Sequence, residues 1–102
     1  RIKGERGENI EKAIAFYEAA SEVYSRAAFP QEWAGTQNNL AIAYSSRIKG
    51  ERGENIEKAI ALYEAALQVY TPDAFPQDWA ITQNNLAMVY SHRIKGERGE
   101  NI

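Results

Sequence analysis

The 102-residue chain has no cysteine, one histidine, one methionine and three prolines, and its 12 basic and 14 acidic side chains leave a formal charge of only −2. Without cysteine there is no disulfide framework, no zinc–thiolate site and no thiol nucleophile. The near balance of charge lacks the strongly basic face of a nucleic-acid module. No apolar run approaches the roughly 20 residues of a membrane span, and no signal-peptide pattern opens the chain. What is present is apolar enough to fold, because 44% hydrophobic and 11% aromatic residues exceed what a disordered tail carries. The length suits one domain. Arg1 in place of an initiator methionine leads us to expect a piece of a longer protein.

Internal repetition organises the chain. Residues 1–46 and 47–92 align without a gap and differ at 11 of 46 positions, and a third copy starts at Arg93 with RIKGERGENI. A period of 46 is in the range of solenoids, in which each unit buries its apolar face against its neighbours. The expected organisation is one array over 1–102, with units 1–46 and 47–92 and the start of a third at 93–102.

Each unit reads as two helices. The first is expected over 9–24 and 55–70, where Ile56, Ile60, Tyr63, Leu67 and Tyr70 fall on one stripe at helical spacing. Ala59 and Ala66 flank it and admit a close neighbour. Asn9 and Asn55 are the expected N-caps, with Glu11 and Glu57 in the first turn where the helix dipole favours negative charge. The other helix is expected to start near Pro30 and Pro76, since proline loses nothing at a first helical position. Phe29 with Trp33, and Phe75 with Trp79, have the four-residue spacing of a hydrophobic staple. Trp33, Leu40, Tyr44 and Ile48 form its core stripe, as do Trp79, Leu86, Tyr90 and Ile94. Gly50 and Gly96 are the expected stops. The intervening KGERG reads as a solvated turn. It lacks the strands that a nucleic-acid-clamping GxxG loop needs and the GK[ST] ending of a phosphate loop.

With Leu40-Ala41-x₂-Tyr44 in one helix and Ala59-x₃-Tyr63-x₂-Ala66 in the next, the chain resembles the tetratricopeptide repeat family. It departs by a longer period, by Ala41 in place of a glycine, and by Gln37 and Gln83 at the family's tryptophan position. TQNNLAIAY and TQNNLAMVY, after AFPQEWA and AFPQDWA, resemble more closely the long-period variant of kinesin light chains and bacterial multidomain proteins. The resemblance implies an all-α, right-handed superhelical solenoid of antiparallel helix pairs. It also implies a concave groove, lined by the LAxxY helices, that binds a peptide or a partner domain.

On a helical wheel the positions opposite the core stripe are Gly35, Asn38, Asn39, Ile42, Ser45 and Ser46 in one copy. In the other they are Ile81, Asn84, Asn85, Met88, Ser91 and His92. Asparagine carries both donors and an acceptor, so stacked copies suit an extended peptide backbone. Ile42, Ile81 and Met88 would add apolar contact, methionine adaptably. The expected partner-binding residues are therefore Asn38, Asn39, Ile42, Ser45, Ile81, Asn84, Asn85, Met88 and Ser91. Two plainer uses compete: the amides can bond neighbouring helices, and Ile42 and Met88 can be inter-repeat core. None of these positions is basic, which excludes a clamp for a terminal carboxylate.

Catalysis finds no footing. His92 is the only histidine, adjacent Ser91 points elsewhere on a helix, and no His or carboxylate ligands share metal-binding spacing. No enzyme activity, cofactor or metal is expected. The expected function is a cytoplasmic protein-interaction scaffold with a protein or peptide partner. The alternative is a structural spacer or self-associating array, a homo-oligomer through head-to-tail stacking or helix exchange.

Overall fold

The computed structural model describes residues 6–101, with side chains through Arg93, as four α-helices: α1 Arg6–Val23, α2 Pro30–Ser45, α3 Arg52–Leu67 and α4 Pro76–Asn101. Consecutive helices pack in antiparallel pairs. On α1 and α2, Gln37 meets Ser21 and Tyr44 meets Glu18, numbers rising on one helix as they fall on the other. The molecule measures 43 × 33 × 20 Å. The fold is all-α and tetratricopeptide-like. Among the described residues no helix is long and apolar enough to cross a membrane.

The core is a set of small-residue contacts wedged by aromatic rings. Ala41 from α2, Ile56, Ala59, Ile60 and Tyr63 from α3, and Val89 from α4 form the central cluster. Ala41 and Ala59 have no exposed surface, so the helices approach closely at these methyl groups. Flanking clusters join Ile14 to Leu40 and Ala43, and Ala34 to Ala66 and Tyr70. Burial pushes the phenols of Tyr63 and Tyr70 above the usual tyrosine range.

Contacts recur at the sequence period. Tyr24 meets Phe29 edge-on at 5.5 Å, as Tyr70 meets Phe75 at 5.6 Å. Tyr44 donates to Glu18 as Tyr90 does to Glu64, and Arg47 pairs with Glu11 as Arg93 does with Glu57.

Several expectations are corrected at the helix ends. α3 begins three residues before Asn55, and its N-cap is Glu51, whose carboxylate accepts from the Glu54 amide at 2.7 Å. α1 likewise begins before Asn9, and Glu8 rather than Glu11 is its first-turn acid. Phe29 is itself the N-cap of α2, one position later than a staple residue, and its ring packs edge-on against Tyr24. α2 stops at Ser45, leaving Ile48 outside the helix and 61% exposed rather than on the core stripe. Gly50 does take a left-handed φ of 85°, but in the turn leading into α3, four residues beyond the Ser46 cap. Gly96 stops nothing, because α4 runs through it to Asn101. The same RIKGE is turn at 47–51 and helix at 93–97. Where the segment turns, its bend is held by Arg47, Asn55 and the packing of α3 back on α2. The Ile94 side chain lies outside the described residues.

Candidate functional site

α2 and α4 present the expected partner face, and its residues divide by what surrounds them. Ile42, Ile81 and Met88 are 45%, 53% and 57% exposed, Ile42 with α1 and α3 packed on either side of its helix. Asn39 and Asn84 are exposed, and Asn38 and Asn85 are half-buried. No hydrogen bond joins any of these four amides to a neighbouring helix among the described residues. Asn38 carries a buried Oδ1 with no partner, an acceptor whose desolvation is uncompensated. The serines differ: Ser45 Oγ donates to the Ile42 carbonyl at 2.8 Å, and Ser91 Oγ to the Met88 carbonyl at 3.0 Å. Both hydroxyls are spent on their own helix.

Asn39 and Ile42 also border a shallow cleft of ≈ 320 Å³ between α1 and α2, whose other wall is Ile10, Ala13 and Tyr17. Gly35, opposite the core stripe, has a local reason. A Cβ there would lie 3.3 Å from the Tyr70 hydroxyl, so the missing side chain lets the end of α3 close on α2. Ile81 at the equivalent place on α4 is exposed.

A polar latch holds the α2–α3 turn and was invisible to periodicity. Arg47 grips Glu11 of α1 with both Nε and Nη2, at 2.7 and 2.9 Å. Its Nη1 donates to Asn55 Oδ1 at 3.3 Å, and Asn55 Nδ2 donates to the Lys49 carbonyl at 2.9 Å. Asn55, only 3% exposed, is thus a clasp on the turn rather than a helix cap. The Arg47 guanidinium hydrogen-bonded to Glu11 holds that carboxyl below its ordinary range. A carboxyl depressed in the folded state stabilises fully above its ordinary pKa, and that contribution vanishes as pH falls through the folded value. Melting the chain beside Glu11→Gln should show a higher midpoint for the wild type at neutral pH. The two curves should converge in acid below the carboxylate range.

Among the described residues no three His, Cys, Asp or Glu side chains converge on a metal position. What α2 and α4 present is surface, exposed apolar side chains beside amides. Compared with known families, residues 33–73, the span of α2, the turn and α3, match a profile described as Tetratricopeptide repeat. No curated protein and no solved structure matches the chain.

Proposed function

We infer that this chain, which carries a tetratricopeptide repeat over α2 and α3, uses the exposed face of α2 and α4 to hold an extended peptide or a segment of a partner protein. Repeats of this family generally mediate protein–protein interactions. The supporting observation is the equivalent face on two successive LAxxY helices. It leaves three large apolar side chains about half exposed, beside asparagine amides that bond no other helix. Backbone amides of a ligand can satisfy such groups in pairs, and Ile42, Ile81 and Met88 can cover its side chains. The contact set is Asn38, Asn39, Ile42, Ile81, Asn84, Asn85 and Met88. Ser45 and Ser91 contribute only their remaining acceptor capacity. A scaffold of this kind needs no catalytic group and no cofactor, and a cysteine-free chain suits the cytoplasm.

The test begins with peptides selected from a random display library against the 102-residue chain. Asn39→Ala combined with Asn85→Ala should weaken a selected peptide at least about tenfold, the loss of roughly one to two net hydrogen bonds. Far-UV circular dichroism and the melting midpoint should stay unchanged. If the double variant loses helix instead, the amides are structural and the assignment fails.

A further inference from the structure

The cleft between α1 and α2 has a counterpart in the next repeat, and there it is full. Ile56, Ala59 and Tyr63 of α3, equivalent to the cleft residues Ile10, Ala13 and Tyr17, are buried at 4%, 0% and 2%. They share a cluster with Ala41 of α2 on one side and Val89 of α4 on the other. The space left open on the α1–α2 pair is therefore the space that α2 fills on the α3–α4 pair.

At the other end of the molecule lies a helix with the required face. Ala34 and Ala41, fully buried where α2 meets α3, recur on α4 as Ala80 and Ala87, and both are exposed. Tyr44, half-buried on α2, recurs as Tyr90, 36% exposed. On the receiving side the substitutions between copies spare the contact: the cluster residues Ile56, Ala59, Ile60, Tyr63 and Ala66 are the same residue types at Ile10, Ala13, Ile14, Tyr17 and Ala20. We propose that α4 of one chain docks in the α1–α2 cleft of a second copy, reproducing between molecules the α2–α3 interface present within one.

One substitution keeps this joint looser than its internal template. A Cβ at Gly35 would lie a tight 3.3 Å from the Tyr70 hydroxyl, whereas the intermolecular joint would bring the whole Ile81 side chain against Tyr24. Tyr24 lies just past the end of α1 and is 40% exposed, so it has space to turn aside, at the expense of the contact that Tyr70 makes. The contact is heterologous, a helix face into a different cleft, so it adds chains end to end rather than closing a dimer. On α4 only Ile81 belongs to the partner face, but Asn39 and Ile42 border the receiving cleft, so a docked second copy would compete with a peptide there; the oligomer mass, read without peptide, tests the joint by itself.

Sedimentation equilibrium of the 102-residue chain, from about 10 μM to about 1 mM, should show mass growing with concentration beyond 11.5 kDa. Ala87→Arg blocks the helix face and Ala13→Arg blocks the cleft, so each variant should remain monomeric. Mixed in equal amounts, they should form a dimer and nothing larger, since each retains the end that the other lacks. Ile81→Ala should tighten the joint about tenfold by freeing Tyr24. Circular dichroism checks that the variants are folded, and Ala80→Arg replaces Ala87→Arg if helix is lost. A wild type that stays monomeric throughout overturns the proposal. So does a mixture that stays monomeric, or an Ala13→Arg variant that still dimerises, the sign of α4 pairing with α4.

Discussion

Replacing Tyr63 with alanine is expected to lower the stability of the chain by about 3–5 kcal/mol, the range for deleting a large buried aromatic side chain. Tyr63 is 2% exposed in the one cluster that joins α2, α3 and α4, so its removal leaves a hole that three helices share. Its neighbours Ala41 and Ala59 are methyl groups that cannot reach into the hole, which leaves Ile56, Ile60 and Val89 to fill it only in part. In a domain of this size each kcal/mol moves the midpoint by roughly 4–8 °C, so the melt should fall by more than about 10 °C. Tyr17, at the equivalent place on α1, is only half-buried, and Tyr17→Ala should cost less than half as much. Equal losses at the two tyrosines would mean that the central cluster is not where the helices are held.

Gly35→Ile separates packing from helix propensity, because the two predict opposite signs. Propensity alone would make the change favourable by somewhat under 1 kcal/mol, glycine being a poor helix former. Packing opposes it: a Cβ at Gly35 already lies 3.3 Å from the Tyr70 hydroxyl, and the branches of isoleucine reach further. Tyr70 is 6% exposed, edge-on against Phe75 and in one cluster with Ala34 and Ala66, so its ring has little space into which to yield. Overpacking of this kind costs about 1–3 kcal/mol, so the net effect should be a clear loss in thermal midpoint. The reciprocal Ile81→Gly, at an exposed position, should cost under about 1 kcal/mol through propensity alone. A rise in midpoint for Gly35→Ile would show that α3 does not close on α2 as described.

Those two residues also show what the sequence made legible. The alternation of helices and the burial of Tyr63, Leu40, Ala59 and Ala66 follow from spacing that any helix must obey, while the antiparallel pairing was what the family resemblance implied. Pro30 and Pro76 placed two helix starts to the residue. The ends defeated pattern reading, because a terminus is set by whichever side chain reaches an orphaned amide. Glu51 does so from outside the apolar stripe, while Asn55, a better cap by type, is taken up by the turn. The Arg47–Glu11 pair spans 36 residues, a distance on which helical periodicity is silent. Its only sequence sign was recurrence as Arg93 and Glu57. Gly96 failed as a stop for a related reason: identical RIKGE segments take different structures, so the bend at 47–51 belongs to the contacts around it. Of the partner face, the wheel put Ile42, Ile81 and Met88 opposite the core stripe but left Ile42 and Met88 open to inter-repeat core, because exposure depends on the neighbouring helix and not on spacing alone. The diversion of Ser45 and Ser91 to their own helix carbonyls was not legible, since a serine hydroxyl can turn either way.

Partners are expected to meet this molecule on the exposed face of α2 and α4. Titrating a ¹⁵N-labelled chain with a library-selected peptide, and following the backbone and side-chain amide resonances, tests it residue by residue. The side-chain amides of Asn38, Asn39, Asn84 and Asn85 should shift together with the backbone of Ile42, Ile81 and Met88, while Phe16 and Lys58 stay still. Shifts centred on α1 and α3, with the four asparagine amides unmoved, would contradict it.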